Sequence, residues 1–156
     1  MYFLISGDVT YTIESKQYRV MPGDIMLISP RELHQICIRP EMSAYERYVL
    51  WVDPKLLTEY STDLTDLTKH LDPAQPSHSN LLRPEGVKRQ FLQFMLEQLT
   101  AEMEAEDPYR NMAALTYLAQ VLILLNRLAM ESARVGQMKT PDSAVYSVLG
   151  YINDHY

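Results

Sequence analysis

The side chains best suited to bind a small molecule lie where polar and apolar residues alternate. His34 is followed by Ile36 and Ile38 at a spacing of two, and residues at this spacing line one face of a β-strand. An imidazole on that face can hydrogen-bond a ligand hydroxyl. The alternative is a core histidine that is satisfied by backbone groups. Tyr11, which alternates with two threonines, is a further ligand candidate on the same grounds.

A second segment, Ser43–Val52, combines a cation with aromatic residues. Arg47 shares one face with Tyr45, Val49 and Trp51, and polarity alone does not decide which face points inward. An inward guanidinium can clamp a carboxylate or sugar hydroxyls in a forked geometry. An inward indole can stack on a sugar ring. The alternatives are a surface arginine paired with a glutamate and a core tryptophan that closes one end of the fold.

Catalytic chemistry has little support in the sequence. A metal centre needs three or four converging ligands, but His34 stands alone in the strand region, and the other histidines are His70, His78 and His155. No G-x-S-x-G, P-loop or H-E-x-x-H motif is present. The one cysteine, Cys37, lies among apolar residues and is expected to be inert core. We therefore predict no enzyme activity, no cofactor and no bound metal.

Composition narrows the class of protein. The formal net charge is −6 and basic residues are not clustered, which argues against direct binding of nucleic acid. A single cysteine allows no intrachain disulfide and favours a reducing cytoplasm. No signal peptide is evident, and the longest apolar stretch, near Val121–Leu125, is far shorter than a membrane span. The sequence predicts a cytoplasmic protein without membrane contact.

The elements that must position these residues change type along the chain. Short alternating runs before Asp53, separated by turns such as Met21-Pro22-Gly23-Asp24, predict antiparallel strands. Asp53-Pro54 predicts a helix start, and a second short helix is expected within Thr62–Leu71. Long helices are expected from Pro84 to about Glu106 and from Tyr109 to about Ala133. The predicted fold class is α+β: a small antiparallel β-barrel followed by two long antiparallel α-helices.

The second long helix is apolar on two adjacent faces. One face can lie on its own domain, and the other needs a second cover. A partner subunit would supply that cover, so a homodimer is predicted, with full burial within one chain as the alternative. The predicted interface residues are Val121, Leu124, Leu125 and Leu128.

Several motifs in order resemble the AraC family of transcription regulators. Leu4-Ile5-Ser6-Gly7, Pro22-Gly23-Asp24-Ile25, Ser29-Pro30 with His34, and Tyr45–Pro54 resemble its N-terminal cupin-type barrel. Val148–Tyr156 resembles the first turns of its DNA-binding domain, just before the helix-turn-helix. Family members carry further N-terminal strands and an arm before the position of Tyr2, and these are expected to be missing here.

The resemblance implies a fold and a pocket. It implies a cupin or jelly-roll-like barrel over residues 1–83, a helical dimerisation region over 84–135, and a linker with the start of a truncated DNA-binding domain over 136–156. It places Leu4 and Ser6 in the pocket and turns Arg47 and Val49 toward the ligand. The implied effector is a small polar molecule, most plausibly a sugar or sugar acid, and DNA contact would come only from the missing helix-turn-helix domain.

Two other functions stay open from the sequence. A metal-dependent cupin enzyme, an isomerase or dioxygenase, would need a richer ligand set than His34 offers. A structural dimerisation module, its barrel filled by its own side chains, would need no ligand at all.

Overall fold

A computed structural model of the chain describes residues 1–38, 44–69, 72–75 and 78–138. For residues 136–138 it describes the backbone alone. In these ranges seven strands precede two long helices, and one short helix lies between the sixth and seventh strands. The elements are β1 (Tyr2–Ser6), β2 (Val9–Ile13), β3 (Lys16–Val20), β4 (Ile25–Met26), β5 (His34–Ile38), β6 (Glu46–Val49), α1 (Pro54–Glu59), β7 (Leu81–Leu82), α2 (Gly86–Glu104) and α3 (Arg110–Met138).

The strands form two antiparallel sheets. One has the order β6-β1-β4-β7 and the other has the order β3-β2-β5. Central strand β1 pairs Phe3 with both Ile25 and Tyr48. Directly opposed residues point to the same face, so these three side chains share the face that packs on the helices.

A tight turn carries the chain from one sheet to the other. In Met21-Pro22-Gly23-Asp24 the Asp24 amide donates to the Met21 carbonyl at 2.9 Å. Gly23 has φ +94°, the left-handed conformation that glycine adopts without strain. The Asp24 carboxylate also accepts from the Met21 amide at 2.9 Å. The predicted turn is therefore confirmed, and it fixes where β4 enters the four-stranded sheet.

The two sheets enclose an apolar cluster. Its buried members come from both sheets: Leu4 and Met26 from one, and Val9, Tyr11, Ile13 and Val20 from the other. The alternation predicted for Val9–Ile13 is visible directly, because its odd-numbered residues are buried and its even-numbered ones are partly exposed. The sheets thus pack face to face over a shared core.

The long helices cover the outer face of the four-stranded sheet. Leu92 and Met95 of α2, and Val121 and Leu125 of α3, are buried with Phe3 in a second cluster. The helices are antiparallel, since Lys88 near the start of α2 donates to Glu131 near the end of α3 at 2.6 Å. The prediction of two long antiparallel helices is confirmed. The four-stranded sheet and the two helices therefore share the second cluster.

Three differences from the sequence-based expectations concern the elements. The part of Thr62–Leu71 that the structure describes, residues 62–69, is not helical, because Thr62 and Thr65 form an isolated β-bridge instead. Helix α3 continues to Met138, three residues into the predicted linker. The rest of that linker and the Val148–Tyr156 segment lie outside the described residues. The described strands form two separate sheets, and a closed cupin or jelly-roll barrel stays a prediction.

Helix α3 is long and apolar enough, over Arg110–Val135, to cross a membrane by length and composition alone. Residues from one side of this helix, including Leu122 and Leu125, are buried in the chain's own clusters. A core helix of a globular protein passes the same test of composition, so this feature is weak grounds for a membrane span.

Candidate functional site

Four of the predicted ligand residues meet at the cluster between the sheets. Leu4 and Tyr11 are buried in it, and Ile36 and Tyr45 are partly buried against it. Tyr11 is opposite Ile36 in the pairing of β2 with β5, so the two side chains share a face. The alternating pattern of the sequence was sufficient to place these residues together.

Arg47 lies at the exposed edge of this cluster. It is opposite Leu4 in the pairing of β6 with β1. Its guanidinium carbon is 4.7 Å from the centroid of the Tyr45 ring and 5.4 Å from that of Tyr2, which is cation–π geometry with two rings. Its Nη1 also donates a hydrogen bond to the Tyr45 hydroxyl. The guanidinium is therefore held in place by aromatic neighbours.

The tyrosines are linked to one another as well. The hydroxyls of Tyr11 and Tyr45 are 3.5 Å apart, and the rings of Tyr2 and Tyr11 have centroids 5.6 Å apart. We call Tyr2, Tyr11, Tyr45 and Arg47 the Arg47 site. It combines one fixed cation, hydroxyl groups and flat apolar surfaces, which is the mixture found in small-molecule pockets.

Burial raises the pKa of the Tyr11 hydroxyl above its ordinary value, which already lies above the physiological range. Desolvation raises its pKa, and the hydrogen bond with Tyr45 raises it further, while the nearby Arg47 charge opposes these effects only in part. A phenol that keeps its proton can donate a hydrogen bond to a ligand throughout the physiological range.

Ser6 adds a polar group without a partner. Its Oγ is buried and makes no hydrogen bond within the described part of the chain. The pairing of β1 with β6 shifts register between Leu4 and Ser6, so Ser6 lies opposite Glu46 and alternation along β1 does not place its side chain beside Arg47. A buried hydroxyl that lacks a partner costs free energy.

The other predicted ligand residues lie outside this group. His34 is exposed at the end of β5, opposite Ile13, with its Nδ1 3.1 Å from the Glu32 carbonyl oxygen. Val49 lies opposite Tyr2 but is 42% exposed. Trp51 follows the end of β6 and is 77% exposed. Alternation along a strand predicts which face of the sheet a side chain lies on. It does not predict whether the other sheet extends far enough to cover that side chain.

Tyr2 was not among the sequence candidates, although it contacts both Arg47 and Tyr11. The spacing of Tyr2 and Leu4 along β1 was a usable signal, because residues two apart share a strand face. Both contact the cluster between the sheets.

All of the candidate ligand residues fall within a segment that matches a known family. The sequence model described as the AraC-like ligand binding domain matches residues 2–122, which is most of the chain. The chain belongs to the AraC-like ligand-binding domain family. The resemblance inferred from the sequence motifs is thereby confirmed.

The AraC-like domain also has a similar curated relative. It is 26% identical over 153 residues to the arabinose operon regulatory protein of Salmonella typhimurium. The match covers 97% of this chain and 50% of that protein. The AraC-like chain therefore spans about half the length of the relative that it matches.

A large cleft of this AraC-like domain is separate from the Arg47 site. Its volume is about 1000 Å³. Its lining includes Leu27–Glu32, which follow β4, and Leu50–Val52, which follow β6. Leu122 and Leu125 of α3 line it as well. Among the predicted ligand residues, Trp51 is the one that lines it. The cleft and the Arg47 site are therefore distinct candidates for ligand binding.

The residues predicted to form a dimer interface lie mostly inside the AraC-like domain. Val121, Leu125 and Leu128 are buried in the cluster shared with the sheet, and Leu124 is partly buried against it. For the first three, this burial favours the alternative left open by the sequence, namely packing within one chain. Leu124 alone of the four keeps appreciable surface for a partner.

The cysteine and the metal-ligating side chains of the AraC-like domain were also considered in the sequence. Cys37 is exposed, so the expectation of a core cysteine was wrong. Its side chain is on the opposite face of β5 from Ile36, away from the cluster between the sheets. Among the residues that the structure describes, no three His, Cys, Asp or Glu side chains are placed to hold a metal ion.

Proposed function

We propose that this chain is the ligand-sensing and dimerising part of a cytoplasmic AraC-type transcription regulator. It binds a small polar effector, a sugar or sugar acid, at the Arg47 site and performs no catalysis of its own. In the regulator as a whole, DNA is contacted through a helix-turn-helix domain rather than through the described sheets and helices. The observation that carries the proposal is the guanidinium of Arg47 held by two tyrosines beside the cluster between the sheets.

The geometry suits sensing for two reasons. The Arg47 site lies where β1, β2 and β6 meet, since its residues come from the two sheets and from the residue before β6. A ligand bound there therefore contacts both sheets and changes how firmly they are held together. The opposite face of the four-stranded sheet packs on α2 and α3, so the sheet connects the ligand to the helices.

Dimerisation is proposed through the outward face of α3. Met112, Ile123 and Met130 are exposed hydrophobic residues, and their spacing of eleven and seven returns to the same helix face. This face is opposite the buried one, and a second copy of the chain is the occupant that we propose for it. Burying such a stripe against its own twin is the isologous contact typical of twofold dimers.

The second candidate function is a structural dimerisation module in which the chain's own side chains fill the space between the sheets. We call it the filled module. Leu4, Tyr11 and Met26 are almost fully buried between the sheets, so their own side chains occupy much of that space. Such a module would dimerise without an effector. It differs from the first proposal in one observable property, the response of stability to small molecules.

A thermal-unfolding screen separates the two candidates. The panel consists of sugars, uronic acids and small carboxylates, tested on the wild type, on Arg47→Ala, and on Arg19→Ala as a matched control whose exposed arginine pairs with Asp8 at 3.2 Å. A ligand at a hundred times its dissociation constant adds about 2.7 kcal/mol of stability. We expect at least one compound to raise the unfolding temperature of the wild type and of Arg19→Ala but not of Arg47→Ala. No response across the panel would contradict sensing and favour the filled module.

A further inference from the structure

We propose that the large cleft is a second ligand site and that it takes a hydrophobic organic cation, a molecule with a bulky apolar body and one positive charge. This inference goes beyond the proposed function, because the cleft shares no lining residue with the Arg47 site. Three features of the cleft carry it: the packed apolar walls, the exposed tryptophan and the charges of the lining side chains.

The walls of the cleft are apolar and already packed. Leu27 and Leu125 belong to the cluster that the four-stranded sheet shares with the long helices. Leu57 and Leu122 belong to a third cluster, together with Leu67. The first four of these leucines line the cleft, and each is at most 9% exposed. A volume of about 1000 Å³ is at the upper end of the range for ligand pockets, so a bulky hydrocarbon body fits without rearrangement of these walls.

The tryptophan of the cleft is largely in water. Trp51 is 77% exposed, whereas tryptophan is highly buried on average in folded proteins. It lies between Leu50 and Val52, which also line the cleft. The face of an indole attracts cations more strongly than the face of any other aromatic side chain. An apolar cation in the cleft would therefore cover the ring and be attracted to it.

The charged side chains of the cleft favour a cation over an anion. Three of the described lining residues carry a carboxylate, namely Glu14, Glu32 and Asp72. One carries a guanidinium, Arg31, so the formal charge of these four side chains is −2. The α-amino group of Met1, which also lines the cleft, adds little positive charge at neutral pH, because burial lowers its pKa to about 6. A surface of this sign attracts cations and repels anions.

Backbone amides hold the three carboxylates in place. Each accepts a hydrogen bond from a main-chain N–H: Glu14 from Leu33 at 2.9 Å, Glu32 from Ser29 at 2.7 Å, and Asp72 from Ala74 at 3.0 Å. A neutral amide donor uses one lone pair of a carboxylate and leaves its negative charge uncompensated. The charges are therefore positioned before a ligand arrives, which lowers the entropy lost on binding.

Fluorescence titration tests the inference without a label, because Trp51 is the one tryptophan in the sequence. The probes are tetraphenylphosphonium and tetraphenylborate, which have nearly the same shape and opposite charges. We expect tetraphenylphosphonium to change the Trp51 emission in a saturable way and to bind at least about tenfold more tightly than tetraphenylborate. Added salt of about 0.5 M should reduce this preference, because salt screens exposed charges.

Substitutions that change one charge at a time show whether the carboxylates cause the preference. Glu14→Gln and Glu32→Gln keep a hydrogen-bond acceptor and remove the charge, and each should weaken tetraphenylphosphonium binding about twofold to fivefold. Arg31→Gln should have the opposite effect, with tighter binding of tetraphenylphosphonium and weaker binding of tetraphenylborate. Glu104→Gln, at the end of α2 and outside the lining, is the matched control and should behave as the wild type.

Several results would overturn the inference. These are equal affinities for the two probes, no saturable response of Trp51 to tetraphenylphosphonium, or a response that is unchanged in both Glu14→Gln and Arg31→Gln. A response that Arg47→Ala abolishes would assign the cation to the Arg47 site and overturn the inference as well. The sugar panel is read on Arg47→Ala and not on these variants, so the proposed function and this inference fail separately. Because Glu14 and Arg31 are exposed, their variants should remain folded, which their unfolding temperatures will verify.

Discussion

At the scale of single residues, the Arg47 site depends on tyrosine hydroxyls as much as on the cation. Tyr45 accepts a hydrogen bond from Arg47 and lies 3.5 Å from the Tyr11 hydroxyl. Its ring also faces the guanidinium. One side chain therefore fixes the plane of the guanidinium and connects it to the buried Tyr11. The hydroxyl and the ring make separable contributions, which a conservative substitution can distinguish.

Tyr45→Phe removes the hydroxyl and keeps the ring. We expect the dissociation constant for the best ligand of the panel to rise about threefold to tenfold, because one neutral hydrogen bond is lost. The unfolding temperature without ligand should change little, since Tyr45 is only partly buried. Titration calorimetry measures the first and thermal unfolding the second. The exposed Tyr109→Phe is the control, and an unchanged affinity in Tyr45→Phe would remove this tyrosine from the site.

At the scale of elements, α3 has two faces with different roles. Leu128 is 7% exposed and packs against the sheet, whereas Ile123 is 38% exposed on the opposite side. The same substitution at the two positions should therefore have different effects. A charge at the buried position must be desolvated without a partner. A charge at the exposed position stays in water and disturbs only whatever covers that face.

Ile123→Glu and Leu128→Glu form the corresponding pair of variants. Light scattering at tens of micromolar should find the wild type dimeric and Ile123→Glu monomeric, with monomer stability nearly unchanged. Leu128→Glu should lose more than about 2 kcal/mol of unfolding free energy in urea titrations. A monomeric wild type would contradict dimerisation. A dimeric Ile123→Glu that tolerates the charge would place the interface elsewhere.

Secondary structure was predicted correctly where it depends on residues close in sequence. The turn at Met21–Asp24, the cap at Asp53 and the alternation of β2 were predicted correctly, because each depends on residues close in sequence. Residues 62–69 were expected to be helical and are not. There the Asp66 carboxylate accepts hydrogen bonds from the Thr68 amide and hydroxyl, and such local side-chain bonds compete with the helix.

Tertiary placement was predicted less well for a physical reason. Alternation assigned Trp51 to the face of Arg47, but β6 ends at Val49 and the indole lies beyond the edge of the cluster. The two apolar stripes of α3 were visible in the sequence, yet a stripe does not show whether a sheet or a second subunit covers it. The structure assigns Val121 and Leu125 to the sheet, and only the outward residues keep surface for a partner.

At the scale of the whole molecule, the proposed ligand site and the proposed partner surface lie on opposite sides of one sheet. The Arg47 site is on the inner face of the four-stranded sheet, while α2 and α3 cover its outer face. Phe3 and Leu4 are adjacent in β1 and point to these two sides. A shift of β1 on ligand binding would therefore be transmitted to the helices through direct packing, which is the kind of contiguous contact that couples distant sites.

The proposed function requires that a small molecule bind at Arg47 rather than in the large cleft lined by Trp51. Nuclear magnetic resonance of the labelled chain, titrated with D-glucuronate, tests it directly, because the Arg47 Nε–H and the Trp51 indole N–H give separate signals. We predict that the Arg47 signal shifts and saturates with the dissociation constant found by calorimetry, while the Trp51 signal stays in place. A saturating shift of Trp51 with Arg47 unchanged would contradict the account and assign the ligand to the cleft.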